Sequence, residues 1–375
     1  MKVAIVCDWL TNMGGAEKTV LALHDAFPDA PIYTSVFDKK ACPEFVGLDV
    51  RTTYLQNLPA KVRAKHQLFP TFRTNAFRSL DLSEFDVVIS SASAEAKAVK
   101  VRPDAIHICY CHTPTRYYWS HYNEYLAEPG LGPLNPAVRV AMPALVHFMR
   151  QADLRAVNGV DYFIANSNEV KKRIKQYYNR DSTVIHPPVD LHRFSKVKTN
   201  NARTGFVVVG RQVPYKRTDL AIQACNKLKL PLTIYGDGPE HERLVKLAGP
   251  TIKFVVGASD KAVVEALAKA KAFIMPQVED FGIVQIEAMA AGTPVIAFGQ
   301  GGSLDTVSDK TGVLFSKQTV DSLAKAIEQF QAKKFDHAAI QSSASGFSSE
   351  RFVQEIRDFV RSHRSKSASR NPDSV

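Results

Sequence analysis

The sequence predicts an α/β protein of two Rossmann-like domains, each a doubly wound parallel sheet, facing each other across a cleft. Three observations predict it. The chain has 375 residues, enough for two domains with well-buried cores. Short apolar runs alternate with longer helical segments, the pattern of parallel strands joined by helices. That alternation halts once, at residues 184–205, and then restarts.

In the first half, VAIVC (3–7), FDVVISS (85–91), AIHICYC (105–111) and DYFIANS (161–167) read as buried strands, with helices at 16–27 and 135–158. The opening MKVAIVCDWL reads as the first strand, because Asp8 ends its apolar run too early for a signal peptide. VIHPPVDLHRFSKVKTNNARTG then breaks the pattern with a Pro-Pro pair and a Lys-rich, Asn-rich stretch, which suits a linker. Strands resume at 205–210, 231–236, 252–257, 272–276 and 293–298, with helices at 217–227, 239–247, 260–268 and after DFG. The expected organisation is an N-terminal domain 1–190, a linker 191–204, a C-terminal domain 205–345, a terminal helix 346–363 and a disordered tail 364–375.

Composition narrows the function classes. Hydrophobic content of 45% with 23% charged residues is ordinary for a soluble globular protein, and no run of 18 apolar residues predicts a membrane-spanning helix. Five scattered cysteines (7, 42, 109, 111 and 225) read as reduced thiols. The net charge of +11 suits an anionic partner, whether nucleic acid, nucleotide or an anionic membrane, and does not choose among them. Residues 50–80 carry Arg51, Lys61, Arg63, Lys65, Arg73 and Arg78 with no acid, interleaved with bulky apolar residues. That mixture suits an anionic headgroup layer, or else a solvated helix packed on the core by its apolar face.

Ligands of open α/β sheets sit beyond the carboxyl ends of the strands, so those loops are the candidate sites. Gly14-Gly15, ahead of a helix, offers backbone amides to a diphosphate or forms a plain tight turn; it is neither GxGxxG nor a Walker loop. His112 follows a buried strand in CHTPTRYYW, where Arg116, Tyr117 and their aromatic neighbours form a wall suited to a sugar. Arg211 and Lys216 follow VVVG and suit a diphosphate leaving group. Turns at Gly236 and Gly257 allow a flat base to approach.

The stretch QVEDFGIVQIEAMAAGTPVIAFGQGG places Glu279 and Glu287 eight residues apart. Gly282 argues against one continuous helix, so Glu279 falls in a loop and Glu287 about one turn inside a helix. The amides of Phe281, Gly282, Ile283 and Val284 then face a ligand. The two acids read as separate grips on hydroxyls rather than a coupled acid/base pair. No DxD-like acidic cluster predicts a metal.

This combination resembles the retaining glycosyltransferases of family 4, which have the GT-B fold, over nearly the whole chain. The E-x7-E region carries the resemblance, backed by GRQVPYKR and the Gly14-Gly15 loop. YCHTPTRYYW and HPPVD look like bacterial mannosyltransferases that use GDP-mannose to build O-antigen and other surface polysaccharides. The resemblance implies that Glu287 holds the ribose, Glu279 the donor sugar, Arg211, Lys216 and Gly15 the diphosphate, and that His112 touches the sugar. It also implies a terminal helix crossing back to an acceptor-binding N-terminal domain, and domain closure. The expected reaction is front-face hexosyl transfer without metal or cofactor. The expected acceptor is a polyprenyl-diphosphate-linked or other saccharide, met at the cytoplasmic inner face of an anionic membrane. A UDP-sugar donor, or an epimerase or hydrolase on the same scaffold, is the alternative. A nucleic-acid binder is disfavoured because no reader module is present.

Overall fold

The computed structural model describes residues 1–63, 70–120, 122–127, 135–194 and 203–368. The chain forms two compact units, Met1–His186 with Phe352–Val375, and Pro187–Arg351. Lys65 lies outside the described residues.

The first unit is a parallel sheet of β1 (Val3–Cys7), β2 (Ile32–Thr34), β3 (Val50–Thr52), β4 (Val87–Ala92), β5 (Ile106–Cys111), β6 (Tyr162–Ala165) and β7 (Ser182–Val184), in the order β3-β2-β1-β4-β5-β6-β7. Every residue of β1, β4 and β5 is buried, as strands covered by helices on both faces require. The second unit repeats the plan. It contains β8 (Phe206–Val209), β9 (Leu232–Tyr235), β10 (Ile252–Val255), β11 (Ala272–Met275), β12 (Val295–Phe298) and β13 (Gly312–Phe315), ordered β10-β9-β8-β11-β12-β13. All pairings are parallel, so within each sheet every strand's carboxyl end lies at one edge. The order reverses between β1 and β4, and again between β8 and β11. These are the switch points where the loops diverge and leave a crevice.

The boundaries differ from expectation. The first unit ends at His186, not 190, because the chain that follows already packs on the second unit. There the Val189 N–H donates to the Phe347 carbonyl at 3.0 Å, and Phe194 is 1% exposed. The terminal helix runs Ser349–Ala368, so residues 364–368 continue it rather than begin a disordered tail. Its apolar face joins the first unit's core: Phe352, Ile356 and Val360 cluster with Ile5, Leu23 and Tyr110. Arg357 fastens it by donating to the carbonyls of Asp25 and Ala26, each at 2.9 Å. All five cysteines are unpaired and buried.

Removing the Phe352 ring takes a fully buried side chain out of this core. Phe352→Ala is expected to destabilise the first unit by about 3–5 kcal/mol. Hydrogen exchange should quicken in β1 and the helix Gly15–Ala26 while the second unit's strands keep their protection; uniform loss in both units would contradict this assignment.

Candidate functional site

In the second unit, the switch point is closed by an ion pair. Lys216, in the turn Pro214–Lys216 after β8, bonds the Glu279 carboxylate, in the loop after β11. Gln277 donates to the same oxygen, Glu279 Oε1, at 3.0 Å. The loop 299–302 braces Glu279 from behind: Gly301 pairs with it as a parallel bridge, and the Gly302 N–H donates to its carbonyl at 2.8 Å. Arg217, just after Lys216, takes the left-handed conformation at φ 49°. A side chain there costs about 1 kcal/mol, so the backbone holds strain beside the lysine. Arg211 is exposed in the same loop.

The helix Ile283–Ala290 opens on Gly282, whose φ of 88° any other residue would resist. Most of this helix is buried, while Ile283, Val284 and Glu287 are half-buried and fall on one face by helical spacing. Its first amides lack intrahelical acceptors by geometry. Glu287 is held by Arg193, whose Nη1 donates to Oε1 at 3.1 Å. Arg193 Nη2 reaches Asp260 at 3.1 Å.

Two expected contacts change character. Phe281 is 3% exposed and packs on Phe347, so only its backbone is placed to meet a ligand. At Gly236, a Cβ would fall 2.1 Å from the Gly210 carbonyl oxygen. The Gly236 N–H bonds Val255, and its carbonyl accepts from Gln212 Nε2 at 2.6 Å. Glycine is needed there to let two strand-end loops lie together. Gly257, at φ 68°, lies two residues beyond the end of β10.

The first unit closes its own switch point with Asp8. This carboxylate, directly after β1, accepts from the amides of Ser93, Ala94 and Ala96 at 2.7, 2.9 and 2.8 Å, in the loop after β4. His112, half-buried, follows β5; its Nε2 lies 2.8 Å from Ser91 Oγ, and Asn166 donates to its carbonyl at 2.9 Å. His107, on the same strand, is structural: burial pushes its imidazole down to about 4, and it bonds Ser90 and the Gly159 carbonyl. Gly14 caps the helix Gly15–Ala26, and its N–H donates to Glu17 Oε2 at 2.9 Å.

The aromatic wall beyond His112 rests on buried charges that sequence reading did not find. Glu95 accepts from Tyr117 at 3.1 Å and Tyr118 at 3.2 Å. Asp153 accepts from the Trp119 indole at 2.8 Å and pairs with buried Lys97 at 2.6 Å. Arg73 corrects an expectation: it is 1% exposed and pairs with Glu95 at 2.8 Å, so it is not a membrane-facing cation. Tyr117 is tied into the same cluster, and Arg116 is half-buried next to it. Lys61 is exposed on the short helix Ala60–Arg63, and Arg63 donates to the Gln56 carbonyl. Among the described residues, no three His, Cys, Asp or Glu side chains are grouped to hold a metal.

Comparison with known proteins gives this arrangement a family. The family described as "Glycosyltransferase Family 4" matches residues 13–193, and "Glycosyl transferases group 1" matches 190–345. The chain belongs to the family 4 glycosyltransferases of GT-B fold. It is 28% identical over 230 residues to the D-inositol 3-phosphate glycosyltransferase of Mycobacteroides abscessus, covering 52% of this chain and 50% of that one. It is 30% identical over 209 residues to a GDP-mannose-dependent alpha-(1-6)-phosphatidylinositol monomannoside mannosyltransferase of Mycolicibacterium smegmatis, covering 48% and 55%. The chain thus spans about half the length of the curated relatives it matches. The fold is that of Anabaena Alr3699/HepE, solved in complex with UDP, at 19% identity and a TM-score of 0.69 over 96% of this chain and 100% of that one.

Glu17 makes the Gly14 loop sensitive to pH. Burial pushes its carboxyl up from the usual 4.5 to about 7. Between those values the folded protein keeps a proton that the unfolded chain has lost, so this group's contribution to stability falls as pH rises. Glu17→Gln removes that loss. The variant should gain on the wild type by up to roughly 3 kcal/mol between pH 4.5 and 8. Parallel unfolding curves at both pH values would contradict the burial of this carboxyl.

Proposed function

We propose that this protein transfers a hexosyl group, with retention, from a nucleoside diphosphate sugar to a saccharide hydroxyl, and that the donor is GDP-mannose. The observation that carries the reading is the Lys216–Glu279 pair at the second unit's switch point, in the loop that leads into the helix bearing Glu287. Similarity to a GDP-mannose-dependent mannosyltransferase supports the choice of donor.

In this reading Glu287 accepts the ribose hydroxyls, and Glu279 accepts a hydroxyl of the sugar. Lys216 and Arg211 meet the diphosphate. The bond from the anomeric carbon to phosphate breaks with its electron pair leaving on the diphosphate. The acceptor oxygen attacks the same face, and its proton passes to the departing phosphate oxygen. Lys216 and Arg211 stabilise the charge that develops there. A carboxylate tied to a lysine and a glutamine is a weak nucleophile, which supports placing Glu279 as a grip rather than an attacking group. No metal or cofactor enters this scheme.

The acceptor in this reading is a lipid-linked saccharide at an anionic membrane surface, a polyprenyl diphosphate carrier being the chemistry proposed, and the enzyme works at the inner face. Among the described residues no helix is long and apolar enough to cross a membrane. Leu58, Val62 and Phe72 are 37%, 40% and 58% exposed in the acid-free stretch 50–80. A second apolar surface supports the same reading. The helix Asn135–Val157 exposes Val140, Leu145 and Phe148, with Arg139 beside them. The helices Pro70–Arg78 and Asn135–Val157 both pack on the turn Glu95–Ala98, and Thr74 and Met149 line one small cavity between them.

Lys216→Ala is expected to lower kcat by about 10²–10³ with folding retained; near-normal turnover would remove the diphosphate role. A thermal-shift panel of GDP, UDP, ADP and their sugars tests the donor, since ligand at 100 times its Kd stabilises by about 2.7 kcal/mol. Neutralising Lys61, Arg63 and Lys65 together is expected to release the protein from phosphatidylglycerol vesicles. Unchanged sedimentation with those vesicles would count against the membrane partner.

A further inference from the structure

Both acids proposed to grip the donor are held by a cation of their own unit. Lys216 serves Glu279, and Arg193 serves Glu287. The second pairing was hidden in the sequence, because Arg193 falls in the segment read as linker. In the structure it sits in the turn His192–Phe194, which belongs to the second unit. Its guanidinium lies 5.9 Å over the ring of buried Phe194. Its fork spans two carboxylates of unlike character: Glu287 is 12% exposed and Asp260 is 87% exposed.

We infer that Arg193 is the positioning residue for nucleotide recognition: it fixes the orientation of the Glu287 carboxylate that accepts the ribose hydroxyls. This rests on the reading of Glu287 given above. A mostly enclosed carboxylate needs a charged partner, and a planar fork fixes its orientation where a point charge does not. A carboxylate has about four lone-pair sites, so one arginine contact and ribose hydroxyls are compatible. Asp260, anchored at the start of the helix Asp260–Lys269, holds the other arm of the fork, so Arg193 is set from both sides. Nothing in this role needs Arg193 to touch the nucleotide.

The test is the preference for ribose over deoxyribose, measured by calorimetry. GDP is compared with 2′-deoxy-GDP, and UDP with 2′-deoxy-UDP, and the base that binds more tightly is read. Hydrogen bonds to a charged group predict about a tenfold or greater preference for the ribonucleotide in the wild type. Arg193→Gln and Glu287→Ala should both reduce that preference to within about threefold. A residue that merely holds the fold together would weaken ribo and deoxy forms alike and leave the ratio unchanged. If Glu287→Ala loses the preference and folded Arg193→Gln keeps it, the positioning role is overturned while the ribose reading stands. If Glu287→Ala keeps it, or no nucleotide binds, the ribose reading fails and takes this inference with it. Arg193→Lys covers the case in which the glutamine variant does not fold. It keeps the charge, removes the fork, and should fall between wild type and Glu287→Ala. Full preference in a folded Arg193→Lys overturns the proposal as well.

Discussion

A parallel sheet whose strand order reverses leaves two loops diverging at its carboxyl edge, and something polar must bridge them. Both units meet this constraint with a carboxylate. In the first unit Asp8 spans β1 to β4 by accepting three backbone amides, so its lone pairs are spent on the fold. In the second, Glu279 spans β11 to β8 through a side-chain cation. Backbone amides cannot move aside, whereas a lysine side chain has four rotatable bonds and exchanges partners readily. One topology therefore yields a rigid brace in one unit and an exchangeable ion pair in the other.

Charge inside the first unit does a different job. Arg73 with Glu95, and Lys97 with Asp153, bury four charges under the aromatic loop that follows His112. Removing one partner of such a pair costs about 3–5 kcal/mol, because the other is left in a poor dielectric. The pairs also satisfy three aromatic hydroxyl or indole donors, so the ring wall keeps its orientation through electrostatics as well as packing. Packing holds the same loop: Tyr117, Tyr118 and Trp119 cluster with Val146 and Met149.

How much of this the sequence revealed depended on how local each signal was. Most strands of four or more residues stood out, and so did the E-x7-E loop broken by Gly282. Strands β2, β3 and β7 did not, because three residues are too few to display a period of two, and the four-residue β13 went unread as well. The ion pairs were invisible for another reason: Lys216 and Glu279 are 63 residues apart, and Arg193 and Glu287 are 94 apart. Arg73 misled because a basic, acid-free stretch looks like surface, while its partner Glu95 lies 22 residues away. The glycines of GDG were read as room for a ligand, but close passage of one loop over another gives the same residue choice.

The terminal helix carries a consequence for how the protein is made. Phe352, Ile356 and Val360 complete a core begun by Ile5 and Leu23. During synthesis, residues 187–351 emerge whole before that helix exists, so the second unit is free to fold first. The unit nearer the start of the chain waits, with an apolar groove open, until that helix has been translated. The half that is translated first is thus the half that matures last, and the interval between the two is when the nascent chain most needs protection from aggregation.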